Sequence, residues 1–227
     1  FLMKLNGSGI VQWTKVKGAT LGSVTKATAM VIDSTRNIYI LGDTDGPLDG
    51  FEHTNPIAMF LTKYSEAWVA EFLILISGGG MTHATGVKLA TDGAVVVTGY
   101  TSATLSGFER VGNIDYFIHK FGSGGSPLWV KQFGAPQADT IGRAITVDKD
   151  GDILVVGTTT GEINGSQKVG TIDAFISRHT ENGDLKFVRQ IGASNGILSG
   201  MAVASDALGN VYFAGGSDQP LDGNVFA

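Results

Sequence analysis

The sequence predicts an all-β fold made of four copies of one repeat, and three recurring marks carry that prediction. The first is a phenylalanine in an apolar run, at Phe1, Phe60, Phe117 and Phe175, with spacings of 59, 57 and 58 residues. A basic residue follows each of them three positions on, at Lys4, Lys63, Lys120 and Arg178. The second mark is an aromatic in the next run. Trp13, Trp129 and Phe187 lie 12 residues after their phenylalanine, whereas Trp68 lies only 8 after, which predicts a shortened turn in the second copy. The third is a glycine ending an apolar run, at Gly42, Gly99, Gly157 and Gly215, and each of the first three stands 18 residues before the next phenylalanine. Self-similarity at a fixed period is the signature of a stacked repeat architecture.

Each copy reads as four short strands. The first alternates, as in Ala144-Ile145-Thr146-Val147. The second is densely apolar: Ile38 to Leu41, Val95 to Val97, Ile153 to Val156, Val211 to Ala214. Its β-branched and aromatic content favours strand over helix. Asp92-Gly93, Asp150-Gly151 and Gly209-Asn210 supply the positive φ of the turn between them. The first copy has Arg36-Asn37 there, so that turn is expected to be strained or differently built. A glycine-bounded loop leads to the third strand, and a Gly/Ser/Asn turn leads to the fourth. Four antiparallel strands per copy make one blade of a β-propeller. Consecutive apolar residues in the second strand want burial on both faces, which two flanking blades provide.

The 227 residues are expected to form a single propeller domain, with repeats at 1–59, 60–116, 117–174 and 175–227. The chain begins in a third strand and ends after a second. The preferred reading is a closed four-bladed ring in which both ends complete one blade, which would leave no exposed sheet edge. The alternative is a slice of a larger propeller.

Composition narrows the classes of function. A formal net charge of −5, with Lys and Arg scattered singly, argues against a nucleic-acid groove, which needs clustered cations. The absence of cysteine excludes disulfides and thiolate metal sites. No run approaches the roughly 18 apolar residues of a transmembrane helix; the longest apolar stretch, Trp68 to Ile76, is interrupted by Glu71.

Gly209-Asn210-Val211-Tyr212-Phe213-Ala214-Gly215 followed by Leu221-Asp222-Gly223, together with Asp173-Ala174-Phe175 and Leu128-Trp129-Val130-Lys131-Gln132-Phe133-Gly134, resembles the SBBP β-propeller repeat family. The second copy departs most, with Ala58-Met59-Phe60 in place of Asp-Ala-Phe. The resemblance implies the propeller architecture and no single activity. It tilts localisation towards the cell surface or the exterior, because members are often large secreted or surface proteins.

Two acidic segments are candidate sites. Asp148-Lys149-Asp150-Gly151-Asp152 alternates carboxylates, as a calcium loop does, but its glycine comes too early for an EF-hand and Thr159 stands where the closing glutamate belongs. A plain hairpin turn is the preferred reading. The loop after the second strand carries Asp43, Asp45 and Asp49 in the first copy and Asp218 and Asp222 in the fourth. These five residues are the leading ligand-binding candidates, for a glycan or a cation, against a solvated turn as the simpler reading. Of the four histidines, His53, His83, His119 and His179, none forms a metal-type pair, and surface positions are expected for them. The aromatics at Trp13, Trp68, Trp129 and Phe187 read as packing anchors. The cations at Lys4, Lys63, Lys120 and Arg178 are expected to pair with a neighbouring blade or to sit at the outer rim. No Gly-x-Ser-x-Gly elbow and no phosphate loop is present.

No catalytic set and no cofactor is indicated. The expected function is a non-enzymatic interaction or structural module of a secreted or extracellular assembly, with protein partners or self-assembly. A lectin-like propeller is the first alternative. A quinone-dependent dehydrogenase fragment is the second, since those enzymes are also propellers.

Overall fold

The computed structural model describes residues 1–19, 22–52 and 56–221. Three four-stranded antiparallel sheets succeed one another along the chain. The first holds β3 (Thr25–Ile32), β4 (Ile38–Thr44), β5 (Ala58–Tyr64) and β6 (Ala70–Ile76). The second holds β7 (Thr82–Leu89), β8 (Val95–Thr101), β9 (Asp115–Phe121) and β10 (Pro127–Phe133). The third holds β11 (Thr140–Val147), β12 (Ile153–Thr159), β13 (Asp173–His179) and β14 (Leu185–Ile191). A hairpin of β1 (Leu2–Leu5) and β2 (Val11–Lys15) precedes them, and one of β15 (Leu198–Ser205) and β16 (Val211–Ser217) follows. The fold is propeller-like. However, β1 and β16 stand in separate two-stranded sheets, so among the described residues no sheet joins the two hairpins into one blade. The expected repeat boundaries fall inside the third strand of each full sheet. No helix among the described residues is long and apolar enough to cross a membrane.

The core lies between sheets rather than within them. Val95 and Val97 of β8 pack with Tyr39, Leu41, Met59 and Leu61 of the first sheet, while Val96 between them packs with Ile153 and Val155 of the third. Leu154 and Val156 in turn meet Val203, Val211 and Phe213 of the last hairpin. Successive residues of a strand point to opposite faces, so a consecutive apolar run is buried only when it is sandwiched. The first strand of each following sheet lies across the face of the sheet before it.

The recurrent glycine of the second strand is required by close approach. In each unit the first strand carries a β-bulge, and its carbonyl presses on the glycine. A Cβ at Gly42, Gly99, Gly157 or Gly215 would lie 2.1, 1.9, 1.9 or 1.6 Å from the carbonyl oxygen of Lys26, His83, Ile141 or Ser199. At the first three positions the ring of Phe60, Phe117 or Phe175 closes the other side.

Two turns depart from their counterparts. Arg36 has φ 68° at the position of Gly93, Gly151 and Gly209, so the first copy keeps the common turn and strains it. The second departure corrects the sequence reading. The β5–β6 turn is not shortened: Ser65 to Val69 makes the same hydrogen bonds as Gly122 to Ser126 and Thr180 to Asp184. Phe72 is the strand aromatic, opposite Lys63 as Trp129 is opposite Lys120. Trp68 instead takes the positive-φ turn position (φ 64°) held elsewhere by Gly9, Gly125 and Gly183. Its indole stacks on Tyr64 with centroids 3.9 Å apart. Gly9 stands in open space, but two of the turn glycines have no such room: a Cβ at Gly125 or Gly183 would strike Phe72 at 2.8 Å or Trp129 at 2.9 Å.

A buried polar bracket fixes the long loop of the second and third sheets. Asp115 accepts from the backbone N–H groups of Val111 and Gly112, at 2.8 Å each, and from Gln132 Nε2 at 2.9 Å. Gln132 also donates to Ala103 O and accepts from Leu105 N. Asp173 and Gln190 repeat the arrangement with Val169, Gly170, Gly161 and Ile163. In the first sheet the two strand positions hold Ala58 and Leu75. Both partners are apolar there, as expected when loss of one alone would leave a buried polar group unpaired.

The recurrent cations pair mainly within their own sheets, contrary to expectation. Lys63 is buried against Glu71 at 2.8 Å, Lys120 is buried against Asp92 at 2.9 Å, and Arg178 holds Asp148 and Asp152. Lys4 meets a neighbouring sheet at Glu66, and Lys63 also donates across to the Ser123 carbonyl of the second sheet at 3.2 Å. His119 and His179 are also corrected, because both are buried. His119 stacks on Phe121, and His179 lies among Tyr116, Phe133 and Ser177. Nδ1 of each has no hydrogen-bond partner. Burial pushes both pKa values down from 6.5 to about 4.

Three measurements follow from this frame. Arg36→Gly should raise the unfolding free energy by about 0.5–1 kcal/mol, seen as a higher denaturant midpoint, since glycine carries no left-handed penalty and the exposed Arg36–Glu66 pair contributes little. An unchanged or lower midpoint would show that the turn is unstrained. Between pH 6.5 and 4 the unfolded chain binds more protons than the folded one at His119 and His179. Stability is therefore full above pH 6.5 and falls as pH drops towards 4, by on the order of 3 kcal/mol per histidine. The slope of stability against pH should flatten in His119→Leu, and an identical slope would exclude its contribution. For the bracket, Asp173→Ala and Gln190→Leu should each cost about 2–3 kcal/mol, and the double variant should cost at least 1 kcal/mol less than their sum. Simple additivity in that cycle would mean the two side chains are not coupled.

Candidate ligand-binding cleft

The acidic candidates separate into different roles. Asp45 Oδ1 accepts the Val24 backbone N–H at 2.6 Å, and Asp218 does the same for Ile197 at 2.6 Å. Ser102 and Thr160 hold the same position with hydroxyls, accepting from Met81 at 3.1 Å and Asp139 at 2.9 Å. The acid at this position is thus one version of a hydrogen bond that every copy makes. Asp49 takes a positive φ of 54° before Gly50, as Ser106 and Asn164 do before Gly107 and Gly165. The residue preceding it, Leu48, plugs the core as Leu105 and Ile163 do. Asp49 also pairs with Lys17 at 2.6 Å, at the rim of a crevice between the first hairpin and the first sheet. Asp222 lies outside the described residues, as does His53.

The other acidic segment is built around Arg178. Asp148 accepts the backbone N–H groups of Asp150 and Asp152 at 2.9 and 3.0 Å. Asp33 and Asp206 anchor their turns in the same way. Arg178 donates to both Asp148 and Asp152, and Lys186 donates to Asp152. Asp150 turns to Lys149 at 2.7 Å. Two buried carboxylates thus face two cations, the pairing that burial of charge demands. Among the described residues, no three His, Cys, Asp or Glu side chains converge as metal ligands would.

Asp43 is different. It stands where Tyr100, Thr158 and Gly216 stand in the other copies. Its Oδ1 accepts from Ala84 N at 2.7 Å and its Oδ2 lies 2.9 Å from Nδ1 of His83, across the junction of the first two sheets. The carboxylate therefore fixes the Nδ1 proton and the ring orientation of His83. Tyr100 stacks on the same imidazole, with centroids 4.8 Å apart. These residues line a solvent-open cleft of about 560 Å³ at the inner edge of the sheets, together with Lys26, Thr28, Asp45, Thr85 and Arg143. Thr28, Thr85 and Arg143 are the bulge residues of β3, β7 and β11. A bulge re-aims a side chain, and here all three line one cleft.

Around the cleft the frame repeats and its lining does not. Thr25 and Thr44 bond hydroxyl to hydroxyl at 3.3 Å, as Thr82 and Thr101 do at 3.0 Å and Thr140 and Thr159 at 3.3 Å. The glycine after the apolar run is present in every copy. The positions between these fixed points read Lys26, His83, Ile141 and Ser199 in the first strand, then Thr28, Thr85, Arg143 and Met201 at the bulge, and Asp43, Tyr100, Thr158 and Gly216 in the second strand. Of the leading acidic candidates, only Asp43 and Asp45 enter this cleft. Lys26, Tyr100 and Arg143 were not singled out from the sequence, and His83 was read there only as a surface residue. Setting the copies in register on their glycines and searching for positions that fail to repeat would have found them.

Residues 12–49 and 128–164 match the family described as SBBP, beta-propeller repeat. The two segments start 116 residues apart, two repeat lengths. Each runs from the fourth strand of one unit through the first two strands of the next. No curated protein matches the chain. Among solved structures, a protein of unknown function from Bacteroides caccae is 12% identical with a TM-score of 0.51, covering 96% of this chain and 64% of that one. A gluconolactonase from Xanthomonas campestris, described as important in glucose secondary metabolic pathways, is 12% identical with a TM-score of 0.47, covering 94% and 62%. The chain thus spans slightly less than two thirds of the length of either protein, and at such identity the first likeness concerns fold alone. The matched segments, their spacing and the sheet order agree: residues 12–49 and 128–164 of this chain are SBBP-type β-propeller repeats.

Proposed function

We propose that the chain is a non-enzymatic propeller module that works by binding, with the inner cleft as its recognition surface. The supporting observation is the pattern of repetition. Residues that build the fold recur from copy to copy, while Lys26, Asp43, His83, Tyr100 and Arg143 do not recur and meet at one solvent-open cleft. A rigid scaffold presenting variable side chains is a common way for repeat proteins to bind. Placement in a secreted or surface assembly belongs to the same proposal and rests on the habit of proteins with this repeat. Recovery of the native protein only from the cytosolic fraction would remove that part.

The test is a panel of immobilised glycans and displayed peptides, probed with the wild-type chain and with Tyr100→Ala/His83→Ala. The expected result is at least one saturable binder that the double variant loses by tenfold or more, with the circular dichroism spectrum unchanged. A flat panel, or binders indifferent to both changes, would overturn the reading.

A further inference from the structure

The cleft contains two acids and two cations, and only the acids are engaged. Asp43 is committed to His83 and to the Ala84 amide, and Asp45 to the Val24 amide. Lys26 and Arg143 are exposed, and among the described residues neither has an ion-pair partner. Their charges come from the first and third units, on either side of the Asp43–His83 pair. Burial, joined by the charge of Asp43, raises the pKa of the Tyr100 phenol, and the charge of Arg143 opposes that shift. An arginine on a bulge, lining the same cleft as a phenol and facing open water, is suited to a carboxylate, which its planar fork can engage through two parallel bonds.

The remaining groups suit hydroxyls and a ring. With its Nδ1 proton held by Asp43, His83 has Nε2 left to hydrogen-bond a ligand hydroxyl. Thr28 and Thr85 contribute hydroxyl oxygens, and Tyr100 contributes a phenol and an aromatic face. The space is ample for more than one sugar ring, since small-ligand sites commonly occupy about 300–1,000 Å³.

We propose that the cleft binds an acidic saccharide, with Arg143 and Lys26 engaging its carboxylates and His83 and Tyr100 its hydroxyls and ring face. This rests on the reading of the cleft as the recognition surface. It adds the chemistry of the ligand.

The experiment is calorimetric titration of the full chain with trigalacturonate, maltotriose and a short polyglutamate peptide. Wild type, Arg143→Gln and Lys26→Gln are compared, with circular dichroism as the control for folding. Both cations are exposed, so their replacement leaves the core intact. The expected result is saturable binding of trigalacturonate that weakens with salt, falls at least tenfold in Arg143→Gln and severalfold in Lys26→Gln, and is at least tenfold tighter than for maltotriose. No saturable heat with trigalacturonate, equal binding of maltotriose, equal or tighter binding of polyglutamate, or an unchanged constant in Arg143→Gln would each overturn it. If the panel yields a neutral binder sensitive to Tyr100 and His83, the binding module stands and the acidic-saccharide assignment fails. If nothing depends on the cleft, both fail.

Discussion

Burial of the second strand on both faces is the constraint on which the rest of the structure depends. A single four-stranded sheet gives Val95, Val96 and Val97 only one covered face at a time. Stacking sheet on sheet covers both, and the three core clusters are accordingly the seams between units. Each seam is closed by the first strand of the following unit, which must bulge to lie against its own second strand and across its neighbour. That bulge drives a carbonyl into the space a Cβ would fill, which fixes glycine at Gly42, Gly99, Gly157 and Gly215. The same constraint leaves apolar surface where no further sheet stands. Met201 and Tyr212 on the last hairpin and Leu5 and Val11 on the first are exposed, in keeping with hairpins that have not been joined into a shared sheet.

The sequence was legible where one residue type answers one geometric demand. The apolar runs, the glycines and the positive-φ turns announced strand order and the sandwiching of blades, and the structure agrees with them. It was misleading where residue type was read without register. Trp68 was taken for the strand aromatic because it is a tryptophan, yet Phe72 keeps the spacing of 12 from Phe60 and the position opposite Lys63. His119 and His179 were read as surface residues because isolated histidines usually are. Both lie on third strands whose residues are almost all buried, and His119 stands between Phe117 and Phe121. Ring closure could not be decided from the repeat count, since complementary half-blades suit a closed ring and a longer array equally well.

The acidic loops show the same limit at the level of the site. Asp45 and Asp218 looked like ligands because two of four copies carry carboxylates there. Comparing atoms rather than residue types shows that Ser102 and Thr160 make the equivalent bond to the chain just before the first strand. An acid that a hydroxyl can replace in this way is serving the backbone. Asp43 has no counterpart of this kind: Tyr100, Thr158 and Gly216 carry no carboxylate, and no imidazole stands at Ile141 or Ser199, the equivalents of His83. Its bond to Ala84 does help to join two sheets, so its role is partly structural, but its hold on His83 serves the cleft.

Departures from the repeat therefore fall into two kinds, and the distinction locates function. In one kind the fold itself compensates. Ala58 comes with Leu75, so that neither partner of a polar bracket is left alone, and the left-handed Trp68 is offset by stacking on Tyr64. Such changes are neutral drift within a packing problem, because each is answered by another side chain of the same unit. In the other kind nothing in the fold answers the change. Lys26 and Arg143 bring charge to an inner edge that their counterparts leave to Ile141, Ser199 and Met201 among others, and no ion pair within the described residues absorbs it. Exposed charges cost the fold little, so selection for packing neither places them there nor removes them. Their convergence from separate units beside a fixed imidazole is a property of the assembled arc, invisible to any single repeat, and a ligand spanning the units is what would make use of it.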